Sequence, residues 1–443
     1  MGKYFGTDGF RGEANVTLTV EHAFRIGKYL GASCKGSGRA RIVIGKDTRL
    51  SSYMLEYALV AGLTSVGADA YLLHVTTTPS VSYVVRSEGF DGGIMISASH
   101  NPYTDNGIKL INRHGEKMSD DFTDRIEKYL DSPDGIPLAS GSEVGRTVDY
   151  VLGRNRYTGY IISLARHSYK GIRVGLDAAN GSAWMLAKSI FDALGATTYV
   201  IGNEPCGTNI NEGCGSTHID ALCELVRREG LDIGFAFDGD ADRCLAVDEG
   251  GRVISGEGIL YAGAKYLRSR SALQGDTVVT TVMSNLGLSD ALAREGISCI
   301  TTDVGDRFVW EAMREGGYSL GGEESGHIIF AANATTGDGL ITAIKIMEML
   351  IESKQPASRL CDGLVMYPQI TKSVRVADKD RAIGDAEVQK AYKTAEKTLH
   401  GVGRILLRKS GTEPVVRVMA EHPDEDICRA AVDIIVDAIN KTQ

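Results

Sequence analysis

The stretch DIGFAFDGDADR, Asp232–Arg243, joins a short apolar run to three alternating aspartates and so indicates the type of fold. The run DIGFAF has the length and composition of a buried β-strand. Its carboxyl end carries Asp238, Asp240 and Asp242, and open α/β sheets bind their ligands beyond that end of their strands. The stretch therefore predicts an α/β sheet with a ligand site at its edge.

The same three carboxylates predict a metal ion. They repel one another unless a cation lies among them, and ligation by oxygen alone selects Mg²⁺ or Ca²⁺. An EF-hand is a partial alternative, because Glu249 stands at the twelfth place of the D-x-D-x-D pattern. Arg243 occupies the sixth place, where that loop requires glycine, and a strand precedes the pattern instead of a helix. A solvated acidic turn is the other alternative, and a Mg²⁺ site is the interpretation we favour.

Further runs of β-type residues alternate with helical patterns along the chain, which indicates α/β architecture. The strand-like runs are RIVIG (41–45), AYLLH (70–74), GIMIS (93–97), IRVGLD (172–177) and DTVVTTV (276–282). Amphipathic helical patterns begin at Val20 and Ser51. Polar seams predict domain changes near residues 150, 253 and 365. The last segment has the pattern of a small α+β module, with a helix predicted from about Ala382 to Leu399.

Length and composition exclude several classes of protein. A chain of 443 residues suggests roughly two to four domains. Its net charge of -9 argues against a nucleic-acid partner, and no apolar run reaches the roughly 18 residues of a membrane span. The eight cysteines lack zinc-ligand spacing, and the first residues lack the features of a signal or transit peptide. We therefore expect a cytoplasmic protein with reduced thiols.

The loop ISASHNPYTDNGIK, Ile96–Lys109, contains a candidate nucleophile. Ser97 continues the alternation of the preceding strand, whereas Ser99 lies beyond its end, before His100 and the turn that Pro102 fixes. A serine beside a carboxylate-held metal could carry a phosphate that supplies an oxygen to the ion. The alternative is that Ser99 only caps a turn.

Two further loops carry groups suited to ligand binding. In LLRKSGTEPVVRV, Leu406–Val418, hydroxyls and arginines predict an anion-binding concavity, the alternative being a hairpin turn with arginines at its rim. In LGGEESGHIIF, alternating polar residues could face one ligand, and the histidine could move protons. There the alternative is a structural histidine. The residues concerned are Arg408, Ser410, Thr412 and Arg417 in the first loop, and Glu323, Ser325 and His327 in the second.

Together these motifs resemble the α-D-phosphohexomutase family in order and spacing over nearly the whole chain. The motifs are TDGFRG (Thr7–Gly12), SASHNP (Ser97–Pro102), DGDADR (Asp238–Arg243), GEESGH (Gly322–His327) and RKSGTEP (Arg408–Pro414). The resemblance implies a four-domain α/β architecture around a central cleft, with three related α/β domains of mixed sheets and a C-terminal α+β domain like the TATA-binding protein. The expected domains are 1–150 with a phosphoserine loop, 151–253 with a metal-binding loop, 254–365 with a sugar-binding loop and 366–443 with a phosphate-binding loop.

The resemblance also implies the role of each residue. Ser99 would be the phosphoserine, facing one Mg²⁺ per active site held with Asp238, Asp240 and Asp242. Arg11 and Arg243 would stabilise the transferring phosphate. The candidates for proton transfer are Lys109, His100 and His327. Glu323 and Ser325 would bind sugar hydroxyls, and the non-reacting phosphate would be bound by Arg408, Ser410, Gly411, Thr412 and Arg417.

The implied reaction is the exchange of a phosphoryl group between positions 6 and 1 of a hexose. Within the family, the opening residues, GTNINEGCGSTH and TVMSNLG resemble members that act on glucosamine phosphate, whose product feeds UDP-N-acetylglucosamine and cell-wall synthesis. The resemblance implies glucosamine or glucose 1,6-bisphosphate as an activator and a homodimer as the assembly, although the sequence leaves the oligomeric state open. Alternatives are a glucose or mannose phosphate substrate, or a non-catalytic sugar-phosphate sensor.

Overall fold

The structure is a computed structural model and describes residues 2–6, 8–34, 38–133, 135–410 and 414–442. Its internal contacts divide the chain into two compact units. The first contains residues 1–282 and 299–362, and the second contains residues 283–298 and 363–443. None of the helices in these described ranges is both long enough and apolar enough to cross a bilayer.

Three mixed sheets use the strands from the amino terminus to residue 330. These strands are β1 (Phe5–Gly6), β2 (Gly9–Glu13), β3 (Arg41–Lys46), β4 (Asp69–Val75), β5 (Gly92–Ile96), β6 (Asp105–Asn112), β7 (Thr147–Asp149), β8 (Arg173–Asp177), β9 (Thr197–Ile201), β10 (Ile233–Phe237), β11 (Cys244–Asp248), β12 (Val253–Ile254), β13 (Thr277–Thr281), β14 (Ser298–Thr302), β15 (Leu320–Gly322) and β16 (Ile328–Phe330). A fourth sheet lies in the second unit and consists of β17 (Gln369–Arg375), β18 (Arg404–Lys409) and β19 (Val415–Glu421).

The helices alternate with these strands. They are α1 (Val20–Ser33), α2 (Leu50–Ser65), α3 (Thr78–Glu88), α4 (Asp120–Asp131), α5 (Val151–Ser163), α6 (Leu186–Ala193), α7 (Asp220–Glu229), α8 (Gly256–Ser269), α9 (Leu286–Arg294), α10 (Asp306–Gly316), α11 (Gly339–Ser353), α12 (Lys379–Gly384), α13 (Ala386–Thr398) and α14 (Glu425–Lys441). Short 3₁₀ segments occur at Gly141–Glu143, Gln274–Asp276 and Ala357–Arg359.

The three mixed sheets share one feature that positions the site. Their strand orders are β1-β2-β6-β5-β3-β4-β7, β12-β11-β10-β8-β9 and β14-β13-β15-β16. In each sheet a strand with a parallel neighbour is followed by an antiparallel partner, in the pairs β5/β6, β10/β11 and β15/β16. The loops inside these pairs carry Ser99, the aspartate triad and the GEESGH motif. Each of these three loops therefore lies at the carboxyl end of a strand that has a parallel neighbour, which is where α/β sheets bind ligands.

The strands before the first two loops are buried along their whole length. Every residue of β5 and of β10 is buried, which explains their continuous apolar sequences, because such strands are covered on both faces. On one face, α1 and α2 approach with their backbones in contact. A Cβ atom at Gly62 would lie 2.1 Å from the carbonyl oxygen of Phe24, so only glycine allows this approach.

The second unit contains the predicted α+β module. Its sheet is antiparallel, in the order β17-β19-β18, and α13 and α14 pack in its core. Buried Val432, Ile435 and Ile439 of α14 lie in one apolar cluster with Val416 and Val418 of β19. The predicted fold class, α/β with mixed sheets and a C-terminal α+β part, is confirmed.

Two expectations from the sequence differ from the structure. The single helix predicted from Ala382 to Leu399 is two helices, because Asp385 leaves the helical conformation at ψ 136° and caps α13. Its carboxylate accepts hydrogen bonds from the N–H groups of Glu387 and Val388, as an N-cap side chain does. Ser97 was expected to belong to the strand, but β5 ends at Ile96.

A buried ion pair beneath the first sheet supports a stability prediction. Lys46 of β3 donates to Glu56 of α2, and both side chains are 1% exposed. Removing one charge of a buried pair leaves the other uncompensated, which costs about 3–5 kcal/mol. We expect Glu56→Gln to lower the free energy of unfolding by about that amount in urea titrations. The double variant Lys46→Met, Glu56→Leu should lose much less, and an equal loss in both proteins would contradict the prediction.

Candidate active site

Ser99 lies in the loop between β5 and β6 and points at the aspartates. Its hydroxyl donates to Asp238 Oδ2 at 2.5 Å, and the residue is 1% exposed. Ser97 has a different place, because its hydroxyl oxygen accepts from the Ser99 N–H at 2.9 Å. Of the two serines, only Ser99 presents its hydroxyl to the carboxylates.

The aspartate triad is buried and compact. Asp238, Asp240 and Asp242 are at most 4% exposed, and one oxygen from each lies within 4.8 Å of the others. Burial, followed by the charges of Asp242 and Asp240, raises the pKa of Asp238 well above its usual range. Three buried carboxylates in this position therefore need positive charge beside them.

The donor set fits a hard divalent cation. Asp240 Oδ1 and Asp242 Oδ1 are buried and have no hydrogen-bond partner within the described ranges. All ligand atoms are oxygens, which favours Mg²⁺ or Ca²⁺ over softer metals. A second cluster of possible metal ligands contains His167, Glu348 and Glu352. Glu348 there contacts His167 and Tyr169. Glu352 contacts Tyr266 and Arg270, so each of the four carboxylate oxygens already has a partner.

Three backbone N–H groups hold the triad loop in its shape. The Thr78 N–H donates to the Asp240 carbonyl at 3.0 Å, the Ser182 N–H to the Gly239 carbonyl at 2.8 Å, and the Gly339 N–H to the Ala241 carbonyl at 3.0 Å. These donors come from the start of α3, the loop after β8 and the start of α11. The loop is thus fixed by segments that are remote from one another in the sequence.

Lys109 of β6 joins the site as a buried cation. Its Nζ donates to Asp240 Oδ2 at 2.8 Å and to Asp242 Oδ2 at 3.3 Å, and it lies 3.2 Å from Asp8 Oδ2. Burial alone would lower the pKa of Lys109, but the charges of Asp240, Asp8 and Asp242 outweigh it and hold the pKa well above its usual range. Lys109 is therefore an ammonium ion in this arrangement.

His100 lies beside Ser99, and the cations Arg11 and Arg243 lie near His100. Burial and the charges of Arg243 and Arg11 lower the pKa of His100 to about 4, so its imidazole is neutral at pH 7. His100 Nδ1 lies 3.3 Å from the Ser99 hydroxyl. The Nε groups of Arg11 and Arg243 are buried and have no hydrogen-bond partner in the part of the chain that is described. Arg11 pairs with Asp8, and Arg243 Nε lies 4.0 Å from Asp242 Oδ1, so each guanidinium keeps one N–H donor for an anion.

The GEESGH loop forms the tight turn between β15 and β16. The Glu323 N–H donates to the His327 carbonyl at 3.1 Å, and Gly326 has φ +89°, a conformation that favours glycine. Burial raises the pKa of Glu323. The Ser325 hydroxyl oxygen is buried, with no hydrogen-bond partner among the residues described. Both side chains are thus in a loop whose polar groups can bind a ligand.

His327 faces the triad with one nitrogen and a second carboxylate with the other. Nδ1 lies 3.7 Å from Asp242 Oδ2, and Nε2 lies 3.4 Å from Asp306 Oδ2. Burial opposes protonation, but the carboxylates raise the pKa of His327 to about 9. The Gly337 N–H donates to Nε2 at 2.9 Å, which requires that nitrogen to be unprotonated. A protonated Nε2 could not accept this hydrogen bond, so the His327 ring is neutral in this arrangement.

Asp8, Lys117 and Asp306 complete a network that the sequence analysis did not assign. Lys117 Nζ lies 2.5 Å from Asp8 Oδ1 and 2.8 Å from Asp306 Oδ1. A cavity of about 150 Å³ beside this network is lined by Lys117, Asp306, Trp310 and His327, among others. Asp8 belongs to the TDGFRG motif, so the motif could have indicated it as a site residue. Asp306 and Lys117 belong to no motif that could have indicated them.

The strands that flank the predicted anion-binding loop, β18 and β19, are antiparallel neighbours, as the two apolar runs of the sequence predict. Arg408 of β18 and Arg417 of β19 are direct cross-strand partners. Like charges in such a pair are destabilising, and an anion between them would offset that. The Ser410 N–H donates to the Val415 carbonyl at 3.0 Å, and Lys379 Nζ donates to the Ser410 carbonyl at 2.8 Å. The predicted residues Gly411 and Thr412 lie outside the described residues.

Comparison with known proteins gives one family for the whole chain. Models of the phosphoglucomutase/phosphomannomutase family match in four parts: α/β/α domain I at residues 2–135, domain II at 155–251, domain III at 255–367 and the C-terminal domain at 372–438. A relative from Lachnospira eligens, named phosphoglucosamine mutase, is 62% identical over 99% of this chain and 98% of its own length.

Solved structures agree on the fold. A phosphoglucomutase/phosphomannomutase family protein from Burkholderia thailandensis has a TM-score of 0.83 at 24% identity, covering 100% of this chain and 98% of that one. The Aspergillus fumigatus N-acetylphosphoglucosamine mutase, solved with GlcNAc-6P and magnesium, has a TM-score of 0.68 at 16% identity, covering 98% and 96%. The resemblance seen in the motifs is confirmed, and the chain belongs to the phosphoglucomutase/phosphomannomutase family of α-D-phosphohexomutases.

Proposed function

We propose that this protein is a phosphoglucosamine mutase that interconverts glucosamine 6-phosphate and glucosamine 1-phosphate. The observation that carries the proposal is the Ser99 hydroxyl, which donates to Asp238 at 2.5 Å inside a buried aspartate triad. The 62% identity to a relative of that name supports the choice of sugar. In this reaction Ser99 carries a phosphate, gives it to one end of the sugar phosphate and takes one back from the other end.

The three aspartates of the triad are assigned as ligands of one Mg²⁺ ion per active site. Asp238, Asp240 and Asp242 would hold it, with an oxygen of phosphorylated Ser99. When bound, the ion neutralises charge on the phosphoryl group, which is the main need in phosphoryl transfer. A phosphoserine adds roughly -1.5 to -2 charges, and the cations near Ser99 would neutralise part of that charge. The partly unpartnered guanidinium groups of Arg11 and Arg243 are assigned to the oxygens of the phosphate during transfer.

Proton transfer is assigned to groups near the Ser99 hydroxyl and the triad. A sugar hydroxyl must lose a proton as it attacks the phosphoserine, and the leaving serine must gain one. His100 is neutral at pH 7, because its pKa lies near 4. Its Nδ1 lies 3.3 Å from the Ser99 hydroxyl and can exchange a proton with it. His327, in its neutral form, and Lys109 are the further candidates.

The sugar and its second phosphate are assigned to the remaining loops. Glu323 and Ser325 would bind sugar hydroxyls, since carboxylate and hydroxyl oxygens accept hydrogen bonds from them. The non-reacting phosphate would be bound by Arg408, Ser410, Gly411, Thr412 and Arg417. After the first transfer a 1,6-bisphosphate forms, and its reversal in the site lets the same groups serve both halves of the reaction. The same bisphosphate, of glucosamine or glucose, is the proposed activator.

Four domains, with bounds 1–150, 151–253, 254–365 and 366–443, are part of the proposal, and the four matched family parts support them. We also propose a homodimer and a cytoplasmic location. All eight cysteines are free, as a reducing compartment leaves them.

The choice of sugar is tested by comparing kcat/KM for glucosamine, glucose and mannose 6-phosphates with Mg²⁺ present. We expect glucosamine 6-phosphate to be preferred by roughly tenfold or more, because a site that binds a polar substituent discriminates against analogues that lack it. The Ser99→Ala protein, assayed in the same way, gives the background rate. Equal or better use of glucose or mannose phosphate would contradict this choice of substrate. Tight binding without any exchange of phosphate would instead favour a sugar-phosphate sensor.

A further inference from the structure

The backbone of Ser99 has a conformation that a serine does not adopt without support. Its φ is +52°, in the left-handed region that residues with a Cβ atom rarely occupy. The residue is also 1% exposed, so water does not bind its polar backbone groups. A backbone held in this way requires surrounding groups that fix it.

Two side chains bind the carbonyl groups on either side of His100. Asn211 Nδ2 donates to the Ser99 carbonyl at 2.9 Å and to the Asn101 carbonyl at 3.0 Å. Arg49 NH2 donates to the same two carbonyls, at 3.2 Å and 2.6 Å. Both side chains are buried, with exposures of 5% for Asn211 and 0% for Arg49. Each carbonyl oxygen thus accepts from two donors that come from different parts of the chain.

Each donor is itself fixed. Arg49 pairs with buried Asp47, whose Oδ1 accepts from the Ser52 hydroxyl at 2.7 Å. Asn211 has φ +60°, and its N–H donates to the Ala179 carbonyl at 2.8 Å. It belongs to the segment after β9, within the GTNINEGCGSTH stretch.

The triad loop contacts the same carbonyl. A Cβ atom at Gly239 would lie 2.5 Å from the Ser99 carbonyl oxygen and 3.1 Å from Asn211 Nδ2. The serine loop, the triad loop and the Asn211 segment therefore meet at one atom. A small displacement of the Ser99 backbone would change the distance from its hydroxyl to Asp238.

We propose that Asn211 and Arg49 are positioning residues that hold the Ser99 backbone so that its hydroxyl, or its phosphate, is aligned with the triad. The inference rests on the proposed phosphoserine function. Phosphoryl transfer depends chiefly on alignment and charge stabilisation, and neither side chain needs to touch the sugar. Loss of either donor should therefore reduce the rate of transfer more than substrate binding.

Asn211→Asp is the sharpest test, because aspartate has nearly the same shape and tolerates the left-handed conformation. It replaces the donating NH₂ group by an oxygen that faces two carbonyl oxygens. We expect kcat to fall about 100-fold, the typical cost of a misplaced reacting group, while KM changes less than about threefold, as expected when ground-state binding is kept. Phosphorylation of dephosphorylated enzyme by glucose 1,6-bisphosphate, followed by intact mass, should slow by a similar factor.

Asn15→Asp is the matched control. Asn15 also has a left-handed backbone, at φ +61°, but is exposed, and we expect wild-type rates from this variant. Asn211→Gly is the second variant, since it keeps the backbone conformation, removes the donor and adds no charge. It should lose kcat in the same way and decides the matter if Asn211→Asp does not fold.

Rates within threefold of wild type in a folded Asn211 variant would overturn the inference. So would a loss of kcat that only matches the loss of folded protein in thermal melts. The proposed function fails in a different way: wild-type protein would then show no exchange between glucosamine phosphates, or no phosphate on Ser99 after treatment with glucose 1,6-bisphosphate.

Discussion

Ser99→Ala is expected to lose mutase turnover by at least about 10⁴-fold, the scale seen when a nucleophile is removed from an enzyme. The physical reason is that the Ser99 hydroxyl, which donates to Asp238, is the group that would carry the phosphate, and alanine has no hydroxyl. Purified wild-type protein should carry the mass of one phosphate, and the variant should lack it. Intact mass spectrometry and a glucosamine phosphate exchange assay measure the two effects.

Ser97→Ala is the control for this prediction. The Ser97 hydroxyl accepts from the Ser99 N–H at 2.9 Å and from Arg49 NH1 at 3.4 Å, so it supports the loop without facing the triad. We expect this variant to keep its phosphate and to lose only part of its turnover. If Ser99→Ala still carried the phosphate, or Ser97→Ala lost it, the choice between the two serines would be wrong.

Removing the divalent cation is the second large effect that we expect. Dialysis against a chelator should lower turnover by roughly 10³-fold, since oriented positive charge at a transferring phosphate supplies several kcal/mol. Addition of Mg²⁺ should restore the activity. Asp240→Asn should show the same loss of turnover, and added Mg²⁺ should not restore it. The reason is that Asp240 Oδ1 is one of the two triad oxygens that have no hydrogen-bond partner among the described residues.

The second carboxylate cluster provides the matched control for the metal. Glu352→Gln changes the group formed by His167, Glu348 and Glu352, where Arg270 supplies the positive charge. We expect its Mg²⁺ dependence to equal that of wild type. If the Mg²⁺ dependence shifted in Glu352→Gln and not in Asp240→Asn, the functional ion would bind at the His167, Glu348 and Glu352 cluster. That result would contradict the assignment to the triad. Isothermal titration with Mg²⁺ gives a measure of binding that is independent of activity.

Several features of the fold could be predicted because their causes lie in neighbouring residues. The strands β5 and β10 are continuous apolar runs in the sequence, and their ends differ from the predicted ends by at most one residue. The helix predicted from Ala382 to Leu399 is interrupted at Asp385, since its capping carboxylate competes locally with helix continuation. The hairpin around Ser410 was predicted by two apolar runs joined by turn residues.

The candidate site was predictable only in part, because only some of its residues are neighbours in the sequence. Asp238, Asp240 and Asp242 lie on one loop, so their alternation already indicated a cation site. Ser99 gained weight only beside them, and its contact with Asp238 spans 139 positions. Asp306 had no local signal, because its contacts with Lys117 and His327 form only when the start of α10 lies beside the segment after β6 and the loop after β15.

The sequence by itself determined the alternation of strands and helices, the acidic triad and the family motifs, because periodicity and turn chemistry act between residues close in the chain. The tertiary structure alone decided which side chains hold the Ser99 backbone beside the triad. Asn211 and Ser99 are 112 positions apart, and Arg49 and Ser99 are 50 apart. Such contacts depend on the packing of whole sheets and loops, which fixes distances that no short stretch of sequence contains.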